Sequence, residues 1–125
     1  MKARIGIMSN ALVQKYMLAI VSGKYLRAED EPKIWFVSIN ALGQILNPEN
    51  IALLRLMVEH QPETISELAA LSNRQLSNLS VTLQALNRHG FVELIKTGRK
   101  VKPKALYTDF EIIVDSAFEA RINAA

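Results

Sequence analysis

The chain has 125 residues, half of them apolar and 22% charged, which is enough for one domain with a real core and argues against disorder. It has no cysteine and only two histidines, His60 and His89, which excludes disulfides, thiolate zinc sites and cysteine nucleophiles and disfavours a His-rich metal site. The net charge of +3 is unevenly spread: residues 1–65 carry seven Lys/Arg against six Asp/Glu, residues 66–108 seven against two, and residues 109–125 one against four. A basic excess concentrated in a middle segment points to a polyanionic partner.

From the N-terminus, the longest early apolar run, Tyr16 to Val21, is too short to span a bilayer. Ser9, Asn10, Gln14 and Lys15 interrupt any signal-peptide core, so a cytoplasmic chain without a membrane partner is expected. Ser9 and Asn10 can cap a helix with a broad apolar stripe at Leu12, Val13, Tyr16, Met17, Ile20 and Val21, ending near Gly23. Arg27 to Pro32 reads as a loop, in which Glu29, Asp30 and Glu31 are expected to face water. A short strand, Ile34–Val37, follows, with one of the rings of Trp35 and Phe36 turned to the core and the other to an interface. Asn40 to Leu46 is read as a short helix, stopped by Asn47-Pro48.

Pro48 at a first helical position, with Asn47 as N-cap, opens a helix whose apolar face is Ile51, Leu54, Met57 and Val58. Ile65 is read as an extended link and Ser66 as the cap of a compact helix, Glu67–Leu71, with Leu68 and Leu71 inward. After a turn at Ser72–Arg74, a longer helix runs through His89 to Gly90 as its C′ residue, burying Leu76, Leu79, Leu83 and Leu86. Phe91–Ile95 reads as a strand, Thr97-Gly98-Arg99 as a turn and Ala105–Tyr107 as the return; Phe110–Val114 is extended and the last dozen residues are helical. His60 and His89 fall near helix C-termini, where a positive charge is favoured.

Helix, short helix, tight turn, longer helix and a basic two-stranded ribbon make the pattern of a winged helix-turn-helix. The expected fold is thus mainly α with a small β component. It comprises an N-terminal helix and strand extension over 1–47, the winged helix-turn-helix over 48–108, and an acidic segment over 109–125. On the longer helix, turning the leucines inward leaves Gln75, Ser77, Asn78, Val81 and Thr82 outside, preceded by Arg74. Gln and Asn can bond adenine bidentately, Ser and Thr can reach bases or phosphates, and an apolar side chain can touch a thymine methyl. Lys96, Arg99, Lys100, Lys102 and Lys104 place five basic residues in nine on the ribbon, a wing for the backbone or minor groove of double-stranded DNA.

The run Leu68-Ala69-Ala70-Leu71-Ser72-Asn73-Arg74-Gln75-Leu76-Ser77-Asn78-Leu79-Ser80-Val81-Thr82-Leu83, extended by Leu86, Gly90-Phe91-Val92, Gly98-Arg99-Lys100 and Pro103, resembles the recognition segment of MarR-like regulators. Lys2 to Ser9, Pro32 to Phe36, and Asn50 with Leu53-Leu54-Arg55 carry the likeness upstream, to small antitoxin-like DNA-binding proteins. The resemblance implies a transcriptional regulator acting as a homodimer, with a toxin as a further protein partner in the alternative of an antitoxin-type module. Val81 stands where relatives often carry a basic residue and Asn73 where they tend to carry glycine; Val81 bears on base preference and leaves an assembly-only winged helix as a further alternative. Asn tolerates the left-handed backbone such a turn needs. The 17 residues after Thr108 are fewer than long C-terminal dimerisation helices require, so a dimer would rest on the N-terminal helix, the Trp35 strand or the acidic segment. The chain lacks a P-loop, G-x-S-x-G, H-E-x-x-H and Rossmann fingerprint; no catalytic activity, cofactor or metal is expected.

Overall fold

The computed structural model describes residues 1–124, in the order β1 (Lys2–Ile7), α1 (Asn10–Val21), β2 (Ile34–Phe36), α2 (Ile39–Ile45), α3 (Pro48–His60), α4 (Ile65–Ser72), α5 (Leu76–Arg88), β3 (Val92–Thr97), β4 (Lys100–Ala105), β5 (Asp109–Ile113) and α6 (Ser116–Ala124). Helix dominates, and the chain divides into two compact units, one of residues 1–2 with 45–109 and one of 3–44 with 110–125. None of the helices among the described residues is long and apolar enough to cross a membrane.

The first unit is a winged helix-turn-helix. The Asn47 side chain accepts from the Asn50 backbone N–H at 2.8 Å and Pro48 fills the first turn of α3, as the sequence indicates. The cap of α4 is Thr64, not Ser66, because Thr64 Oγ1 accepts from the Glu67 N–H at 3.0 Å while Glu67 Oε2 accepts from the Glu63 N–H at 3.2 Å. This near-reciprocal box starts the helix two residues earlier than expected and makes Ile65 helical. Asn73 ends α4 in the left-handed region, at φ 57°. α5 buries Leu79, Leu83 and Leu86 completely, with Leu53, Leu54, Met57, Leu68, Phe91 and Val92 also in the core. Leu76 and Leu71 depart from the expected stripes: both are exposed, at 50% and 40%. Leu76 is the first residue of α5, so no preceding turn covers it. Val58 is likewise exposed, and Leu53 takes its place on the buried face of α3.

Gly90, at φ 84°, lets the chain leave α5, and the residue just before the hairpin is secured by Phe91 N–H donating to the Leu86 carbonyl at 2.9 Å. β3 and β4 pair antiparallel from Val92↔Ala105 to Thr97↔Lys100 around a two-residue loop, Gly98-Arg99. Gly98 takes φ 64° at the first loop position, where a tight hairpin requires a positive value. The return strand is therefore Lys100–Ala105 rather than Ala105–Tyr107, since a two-residue loop brings the chain back at once.

The second unit is a three-stranded sheet in the order β2-β1-β5 with α1 and α6 packed together. β1 is a strand the element reading above lacks. Its alternation of Lys2, Arg4 and Gly6 with Ala3, Ile5 and Ile7 is the period-2 signal that marks it. β1 and β2 run parallel, with Gly6 opposite Trp35, as a connection through α1 demands. Met8, Tyr16, Phe118 and Ile122 form the core, packed by Leu12, Val13, Ile20, Tyr25 and Trp35. Both rings of the pair are packed rather than one turned to an interface: Phe36 is buried, and Trp35, half-buried, stacks on Phe118 at 5.4 Å and 13°. Glu31 does not face water: it is 8% exposed and accepts from the hydroxyls of Tyr16, at 2.9 Å, and Tyr25.

Candidate nucleic-acid interface

The surface of α5 follows from its buried stripe. With Leu79, Leu83 and Leu86 inward, the opposite side of a 3.6-residue helix is centred on Val81, which is 71% exposed, and carries Ser77 and Asn78 beside it. Gln75 precedes the helix, exposed, with its Oε1 accepting from Asn78 Nδ2 at 3.5 Å. Thr82 lies at one border of this face, half-buried. Ser80 lies at the other border and lines a groove of about 510 Å³ with Thr64, Ser66, Leu76, Arg99 and Lys100. Gln84 is a further exposed polar residue on the α5 face, three residues after Val81 and seven after Ser77; the same helical periodicity that located its neighbours would have included it.

Arg74 is placed differently from the other polar residues. Its guanidinium donates to the Glu49 carbonyl at 2.9 Å and to Asn50 Oδ1 at 3.3 Å, and Asn50 in turn donates to the Ile45 carbonyl at 2.8 Å. Arg74 thus ties the turn between α4 and α5 to the start of α3. This sets the two helices, and the sequence offers no sign of it because the partners lie 24 and 25 residues upstream.

On the hairpin, strand alternation divides the basic residues. Lys100, Lys102 and Lys104 share one face with Thr97, Ile95 and Glu93, while Lys96 stands opposite Val101 on the other and Arg99 sits at the tip. Lys102 is paired with Glu63 at 3.5 Å, whereas Arg99, Lys100 and Lys104 are exposed. The structure therefore brings Arg99 and Lys100, together with Val101, to the groove beside α5; Lys96 shares the face of Val101 but does not line the groove. A helix exposing amide and hydroxyl groups, bordered by a groove with two cations, offers donors and acceptors for base edges and positive charge for phosphate.

The family model described as HVO_A0114 matches residues 45–112. No curated protein matches the chain. Among solved structures, the chain is similar to the homodimeric winged helix-turn-helix DNA-binding domain of a possible ArsR-family transcriptional regulator from Mycobacterium bovis, determined in solution. That likeness has 25% identity and a TM-score of 0.45, covering 66% of this chain and 68% of the other.

Proposed function

The chain belongs to the HVO_A0114 family, and from the geometry of its first unit we propose that it is a sequence-specific regulator of transcription that binds double-stranded DNA rather than catalysing a reaction. In this reading the exposed face of α5 enters the major groove, where Gln75, Ser77, Asn78, Val81 and Thr82 meet base edges. Arg99, Lys100, Lys102, Lys104 and Lys96 supply the wing for the backbone or the minor groove. Arg74 serves the site by holding the turn. The observation that carries the proposal is the groove shared by Ser80 of α5 with Arg99 and Lys100 of the hairpin, which lets one duplex meet helix and wing together.

A homodimer accords with this function, because two copies address half-sites about 34–36 Å apart. The second unit offers a surface for it: Leu18, Val21 and Leu26 are 70%, 86% and 87% exposed. The same apolar surface would serve a protein partner such as a toxin, the alternative function. The experiment is selection of bound fragments from random duplex DNA, followed by anisotropy titration at several salt concentrations. A symmetric motif and an affinity that falls steeply between about 50 and 200 mM salt are expected. A flat salt response, or recovery of no motif, would overturn the proposal.

A further inference from the structure

Among the large apolar side chains of α3, α4 and α5, Val81 is the most exposed, at 71%, against 47% for Val58, 40% for Leu71 and 50% for Leu76. Helical spacing surrounds it with uncharged polar groups: Ser77 one turn before it, Asn78 beside it and Gln84 after it, all exposed. A single valine among hydrogen-bonding side chains is too small an apolar area for a stable protein partner, whose contact covers about 800 Å² on each side.

The neighbours of Val81 narrow what the face can read. Asn78 Nδ2 donates to Gln75 Oε1 in a long bond of 3.5 Å, which leaves its second N–H and its Oδ1. One donor beside one acceptor matches the N7 acceptor and N6 donor of adenine in the major groove, whereas guanine would set its O6 acceptor against Oδ1. Guanine is read most often by a cation, and the N-terminal half of this face has none to offer. Arg74 is held by the Glu49 carbonyl and Asn50 Oδ1. Arg88 lies eleven residues beyond Ser77, about 16 Å along the helix axis. The other landmark of an A·T pair is the thymine C5-methyl, the one methyl group among the four bases.

We propose, on the footing of the DNA-binding function above, that Val81 reads the C5-methyl of thymine and Asn78 an adjoining adenine, so that the bound sequence has a core of A·T pairs. The apolar surface that Val81 leaves in water in the free protein is then covered by the methyl group when the duplex binds. Uracil pairs as thymine does but lacks the methyl, so Val81 separates the two.

The test takes the motif recovered by selection from random duplex DNA and replaces its thymines one at a time with deoxyuridine, which removes only the methyl group. Anisotropy titration of the full chain is expected to show one core thymine whose replacement weakens binding about four-fold, the factor that corresponds to about 0.8 kcal/mol for one buried carbon. In Val81→Ala the same replacement is expected to cost less than about two-fold, which assigns the effect to that contact. Guanine in place of the adjoining adenine is expected to weaken wild-type binding about ten-fold, and Asn78→Ala to level that preference. A recovered motif with a G·C core overturns the inference while leaving DNA binding in place. So does a motif whose affinity is indifferent to every deoxyuridine replacement, a measurement that needs no variant, or a loss that Val81→Ala leaves intact. Recovery of no motif removes the DNA-binding function and this inference with it.

Discussion

At the scale of single residues, backbone conformation and close approach decide more than polarity does. Asn73 holds φ 57° and ψ 37° in the turn between α4 and α5, a conformation in which a Cβ-bearing residue without a short polar side chain is strained. Asn73→Ala is expected to lower unfolding stability by about 1 kcal/mol, whereas Asn73→Gly leaves it the same or higher; denaturant midpoints separate the two. Gly6 is constrained from outside instead, by the Trp35 ring across the parallel pair. Gly6→Ala is expected to cost about 1–3 kcal/mol by overpacking and to shift Trp35 fluorescence as the ring is displaced. The role of Asn73 is legible in the sequence, because its neighbours announce a helix end on one side and a helix start on the other. That of Gly6 is not, since Trp35 is 29 positions away and only the pairing of β1 with β2 brings the two together.

At the scale of elements, the hairpin shows how a charge cluster in sequence becomes a directional surface in structure. Five basic residues between Lys96 and Lys104 read as one patch, but the two-residue turn and the strict alternation of β3 and β4 sort them onto two faces and a tip. If the groove beside α5 receives the DNA backbone, Arg99→Ala combined with Lys100→Ala should reduce the slope of log affinity against log salt by about 1.8. Lys96→Ala, on the opposite face from Lys100, should change it by less than about 0.9. Fluorescence anisotropy across a salt series measures both. Val81 belongs to the same argument. Val81 is an uncharged, 71% exposed centre of this face; under the proposed function, base preference by hydrogen bonding would fall to Gln75, Ser77 and Asn78 around it, and affinity to the wing.

At the scale of the whole molecule, the two units carry opposite pH sensitivities. In the first unit, burial, aided by the neighbouring Arg88, holds the His89 imidazole below its ordinary value of 6.5. The folded state then binds fewer protons than the unfolded one, so stability is present above about pH 6.5 and is lost as pH falls through the folded value. In the second unit, burial and the hydrogen bonds to Glu31 push the Tyr16 and Tyr25 hydroxyls above their ordinary value of 10.0. There the folded state keeps its protons longer, and stability is lost as pH rises beyond about 10. Acid is thus expected to open the first unit preferentially and alkali the second. Hydrogen exchange of the α5 amides should respond to the acid edge and Trp35 fluorescence to the alkaline one, and His89→Gln should flatten the acid response alone.

The sequence by itself determined the elements of the winged helix-turn-helix: the Asn47-Pro48 start of α3, the Asn73 turn, the leucines of α5 from Leu79 onward, the Gly90 exit and the basic hairpin. Each of these rests on residues within about one turn or one strand of each other, and so on propensity, capping and periodicity. Tertiary structure alone decided what depends on residues distant in the chain. Arg74 is drawn to Asn50 and Glu49, Glu31 is buried under two tyrosines, and β1 is joined to β2 and β5. It also placed Arg4, Trp35 and Phe118 around one cavity. A hydrogen bond or a ring stack is made where geometry allows it, and sequence spacing sets that geometry within an element but not between elements.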